Sequence, residues 1–125
     1  MKTPLLDAAM CVIPGSNIPP PNELDESLKH YYNDRGMDSS DLLWEAISSG
    51  ENADEKHIKY LLSNLFINGN FMLREHSQRL LNSYHKDISE DLYFELESII
   101  TNSAPTIIDS EFCIFAKIFL DSYNA

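Results

Sequence analysis

The chain has little glycine, little cysteine and few bases. Four glycines in 125 residues, none clustered, leave no loop able to cradle a phosphate and no G-x-G-x-x-G or P-loop. The two cysteines, Cys11 and Cys113, fit no C-x-x-C spacing. They could bridge only if the fold brought their Cα atoms to roughly 5.5 Å, so two buried thiols in a reducing compartment are the simpler expectation. Nine Lys and Arg stand against twenty Asp and Glu. That balance disfavours direct contact with nucleic acid, whose phosphates need clustered bases, and with an anionic membrane surface. No uncharged, proline-free run is long enough to span a bilayer. At the N-terminus Lys2 is followed by Pro4 and Asp7, and the apolar stretch from Ala8 to Ile13 is too short for a signal peptide. The expected compartment is the cytoplasm.

Catalytic and metal motifs are also missing. There is no G-x-S-x-G, neither cysteine sits beside a glycine turn, and His57, His76 and His85 fit no H-E-x-x-H spacing. His30 shares a helix face with Glu26 and Asp34, which ordinary pairing on a solvated face explains better than a metal site. Residues 34–38 lack the ligand periodicity of an EF-hand. Carboxylate pairs are expected on acidic helices from composition alone. No cofactor, metal ion or enzymatic activity is expected. An enzyme would need a deep pocket with convergent His and carboxylate groups.

What the chain does have is helical periodicity. Apolar content of 43%, with twelve Phe and Tyr besides Trp44, supports a folded core. The length is that of one domain, 1–125: a short N-terminal helix and proline-rich linker over 1–22, then a helical core over 23–125. Thr3-Pro4 reads as a cap followed by proline at the first helical position, and Pro14 ends that helix. Pro19-Pro20-Pro21 reads as a stiff connector. Caps and glycine stops then predict helices over about 23–35, 38–49, 53–67, 71–86, 89–102 and 109–123. No stretch alternates cleanly, so strands are not expected. The fold class is all-α, a compact set of about six helices with α-hairpin or solenoid-like packing. The last helix is apolar on nearly all sides (Phe112, Ile114, Phe115, Ile118, Phe119, Leu120) and is expected to be central.

The net charge of −11 is segregated. Residues 23–55 carry a net −8, residues 56–86 a net +4, and residues 87–111 a net −7 with no base at all. A solubilising surface would mix its signs, so two concentrated negative fields suggest a positive partner. Each negative block holds one large aromatic off the apolar stripe of its helix. At about 100° per residue, Trp44 turns away from Leu42, Leu43, Ala46 and Ile47, and Phe94 turns away from Leu92, Leu96, Ile99 and Ile100. An aromatic inside a ring of charge is what a protein-binding hot spot needs, provided that no second layer of helices covers it. One candidate patch comprises Glu23, Asp25, Glu26, Tyr32, Asp34, Asp38, Asp41, Trp44 and Glu45. The other comprises Asp87, Glu90, Asp91, Phe94 and Glu97.

In size, acidity, helical single-domain character and absence of catalytic motifs, the chain resembles small acidic bacterial toxin-immunity proteins. Those are made beside a secreted nuclease toxin and block it by tight binding. The resemblance implies a basic protein partner, a nuclease being basic because it must hold nucleic acid. The alternative from another class is a regulatory adaptor or nucleic-acid mimic that binds a DNA- or RNA-binding protein through the same surface. A mimic would space its carboxylates like phosphates along one continuous face.

Overall fold

A computed structural model describes residues 2–10, 39–67, 70–103 and 111–123. The described residues form six α-helices and no strand: α1 Pro4–Met10, α2 Ser39–Ser48, α3 Glu55–Asn64, α4 Phe71–Asn82, α5 Glu90–Ser103 and α6 Glu111–Asp121. The all-α expectation holds. The helix expected over 23–35 and the proline connector lie outside the described residues, as do Cys11 and His30. Cys113 is a buried free thiol. The chain divides into two compact units, 1–52 and 53–125.

In the first unit α1 packs on α2. Pro4 stands at the first position of α1, where a missing N–H costs nothing. The next two amides, Leu5 and Leu6, would be orphans of the helix start. They donate instead to the two oxygens of the Glu51 carboxylate, at 3.2 and 3.1 Å. Glu51 reaches them through the way α2 ends. Gly50 adopts φ +78°, the left-handed region glycine enters without penalty. Its N–H bonds to the Ile47 carbonyl and the Glu51 N–H bonds back to Ala46, a Schellman turn. At the other end the Ser39 hydroxyl donates to the Ala9 carbonyl at 3.4 Å. Each end of α1 is thus tied to the opposite end of α2, so the pair runs antiparallel. Leu5, Leu6, Ala8 and Ala9 bury against Leu42, Leu43 and Ala46 between them.

In the second unit four helices form a ring: α3 packs on α4, α4 on α6, α6 on α5, and α5 on α3. The core is largely leucine and isoleucine, with Ile58, Leu61, Leu62, Leu65, Leu73, Leu81 and Leu96 fully enclosed. Four polar side chains, His57, Asn64, His76 and Ser77, share it. The Asn64 amide donates to the Ser77 hydroxyl at 3.1 Å, joining α3 to α4 through a bond that water cannot contest. His57 is fully buried, and its Nδ1 accepts from the Asp54 backbone N–H at 2.9 Å, closing the start of α3 as Glu or Gln does in a capping box.

The expectation of a central C-terminal helix is corrected. In α6, Phe112, Cys113, Ala116, Phe119 and Leu120 are buried, but Ile114 and Ile118 are 54% and 63% exposed. A helix with neighbours on one side can cover only one face. The apolar excess of α6 therefore ends as an exposed pair of isoleucines flanked by Lys117 and Asp121.

Candidate interaction surface

The second acidic block is positioned by the connection between α4 and α5. Tyr84, just past α4, donates its phenol to the Asp87 carbonyl at 2.8 Å. Tyr123, just past α6, donates to the Lys86 carbonyl at 3.1 Å. Lys86 pairs with Asp54 at 3.4 Å. The Ser89 amide donates to Glu55 of α3 at 2.9 Å, while the Ser89 hydroxyl accepts from the Leu92 N–H at 3.1 Å and caps α5. Glu55 of α3 and the tyrosines just past α4 and α6 therefore set where α5 begins. Glu90 and Asp91 fall in its first turn, where carboxylates favour the helix dipole.

From that start the helical repeat places Glu90, Asp91, Phe94 and Glu97 on one solvent-facing side, and all four are exposed. Phe94 is 55% exposed, with acids three and four positions before it and another three after. It is steadied by an edge-on contact with Tyr93, ring centroids 5.8 Å apart. Glu95 turns aside to meet Lys59 at 3.5 Å. Asp87 is exposed ahead of the helix. Two phenols here are held above their ordinary value, by burial first and by the nearby acids second. Tyr84 is raised above its ordinary value of 10.0 by burial first, then by Tyr123, Glu55, Asp54 and Asp87. Tyr123 is raised by burial and then by Asp87.

Next to Phe94 lies a feature absent from the sequence reading. A groove of about 640 Å³ is lined by Asp87, Ile88, Ser89, Glu90, Tyr93, Ser122 and Tyr123. It joins the first turn of α5 to the chain just after α6, more than thirty residues away. Helical periodicity gives no signal for such a juxtaposition. The presence of Tyr in both flanking segments is the only hint the chain offers.

The first candidate patch is described only in part. Trp44 on α2 is 47% exposed, and Asp41 and Glu45 beside it are half-buried. Glu23, Asp25, Glu26, Tyr32, Asp34 and Asp38 lie outside the described residues. Trp44 belongs to the first unit and Phe94 to the second. Among the described residues no group of three or more His, Cys, Asp or Glu is placed to hold a metal ion. No helix among them is long and apolar enough to cross a membrane. Comparison with protein-family models, with curated proteins and with solved structures finds no match.

Proposed function

We propose that this protein is an acidic inhibitory binder of a basic protein partner, and specifically an immunity protein that blocks a nuclease-type toxin in the cytoplasm. It acts by occupying its partner, not by catalysis. The observation that carries this reading is Phe94, half open to solvent among Glu90, Asp91 and Glu97. Folding would ordinarily cover such a ring if the core needed it. Here it stands where a partner could bury it, and the carboxylates around it would steer a positive surface toward it. A nuclease must be positive where it grips nucleic acid, so the same field that excludes nucleic acid from this chain would attract the enzyme that cuts it.

The test is capture from the source cell with the immobilised chain, followed by kinetics on the protein retained. The partner is expected to be basic and to lose nuclease activity when the chain is added in equimolar amount. Its association rate should fall as salt rises, and the charge reversals Glu90→Lys and Asp91→Lys should lower that rate most at low salt. Association indifferent to salt would remove the electrostatic argument. A retained DNA-binding protein with no nuclease activity would overturn the toxin assignment in favour of nucleic-acid mimicry.

A further inference from the structure

The groove beside Phe94 has a composition that selects among positive groups. Its rim carries two exposed carboxylates, Asp87 and Glu90. Its walls include two half-buried rings, Tyr93 and Tyr123. Both rings are held in place. Tyr93 sits edge-on to Phe94 at 5.8 Å. Tyr123 sits edge-on to Phe119 at 5.4 Å, with its phenol bonded to the Lys86 carbonyl. Among the described residues no Lys, Arg or His lines the groove, and the nearby Lys86 ammonium pairs with Asp54. At about 640 Å³ it has room for a side chain of a partner.

We propose that this groove is an arginine-binding site, taking a guanidinium from the basic partner between Tyr93 and Tyr123 with Asp87 and Glu90 as its counter-charges. The inference rests on the reading of the chain as a binder of a basic protein, and it names the chemistry that the binder recognises. A guanidinium is planar, weakly hydrated and stacks on aromatic faces, while its forked donors match carboxylates. An ammonium is a compact, strongly hydrated point charge and gains less from tyrosine walls.

The experiment needs no partner. The full chain, labelled for NMR, is titrated at neutral pH with Nα-acetyl-arginine amide and separately with Nα-acetyl-lysine amide. Saturable shifts are expected at Ser89, Glu90, Tyr93 and Tyr123, with the arginine compound binding about fivefold more tightly. Asp87→Asn combined with Glu90→Gln should abolish both titrations. Tyr93→Leu changes no charge and should weaken the arginine titration more than the lysine one, whatever the acidic variant does to the fold. The proposal is overturned if the two compounds bind equally, if no shift saturates, or if shifts spread evenly along α5 as charge screening would cause. Because the partner is not used, these results stand apart from the capture experiment. Arginine binding without a captured basic protein would sink the inhibitory reading and leave the site.

Discussion

Truncating Phe94 separates a binding residue from a core residue more cleanly than any other change in this chain. Phe94 is 55% exposed, so of the roughly 200 Å² an aromatic side chain can bury about 110 Å² stays available to a partner. At about 25 cal/mol per Å², covering that area is worth about 2.7 kcal/mol, or about a hundredfold in Kd. The part already covered, about 90 Å², puts a ceiling of about 2 kcal/mol on what Phe94→Ala costs the fold, since the unfolded chain also hides some of it. Alanine's better helix propensity offsets about 0.5 kcal/mol of that. Against a typical stability of about 5–15 kcal/mol the variant stays folded. The assay pairs titration calorimetry against the captured basic partner with urea unfolding followed by circular dichroism. The expected result is unchanged helix content, a modest fall in midpoint and a Kd weakened by about two orders of magnitude, mostly through faster dissociation. A Kd within about threefold of wild type, about 0.6 kcal/mol, would show that the ring is not at the interface. Loss of the helical signal would show that it belongs to the core.

Two further outcomes follow from the two units. Glu51→Ala removes both acceptors from the Leu5 and Leu6 amides. It should cost about 1–3 kcal/mol and speed hydrogen exchange at those two amides, with Glu51→Gln intermediate because it keeps an acceptor but not the charge; unchanged exchange would mean that the carboxylate does not hold α1. In alkali, Tyr84 and Tyr123 keep their protons in the folded chain above the pH near 10 at which the unfolded chain releases them, so their contribution is intact below about pH 10 and declines as pH rises through their raised values. Phenolate absorbance should show two late-titrating tyrosines, and Tyr84→Phe should flatten the alkaline loss of stability; phenolate formation in step with the exposed tyrosines would contradict this.

Much of the secondary structure could be read directly because it rests on local signals. Thr3-Pro4, Gly50, Asn70 and Ser89 mark boundaries through backbone chemistry that acts within a few residues, and the helices begin or end beside them. Phe94 was identifiable as outward-facing because helical rotation alone separates it from Leu92, Leu96 and Ile100. The same logic failed for α6. Its apolar residues surround the helix, so periodicity names no face, and only its neighbours α4 and α5 decide that Ile114 and Ile118 are left exposed. His57 fits no metal-binding spacing, but nothing in the sequence marks it as a buried cap, a role it takes because the Asp54 amide lies within reach of its Nδ1.

By itself, then, the sequence determined an all-α chain, the turns that punctuate it, the segregation of its charge and the outward turn of Phe94. All of these depend on bond rotation, capping and helical pitch over short spans. Tertiary structure alone decided that Glu51 caps a helix more than forty residues before it, that α6 leaves Ile114 and Ile118 exposed, and that Ser122 and Tyr123 past α6 meet the first turn of α5 to form a tyrosine-walled acidic groove. Those outcomes depend on which faces meet across long separations, and the pattern along any one helix carries no record of that.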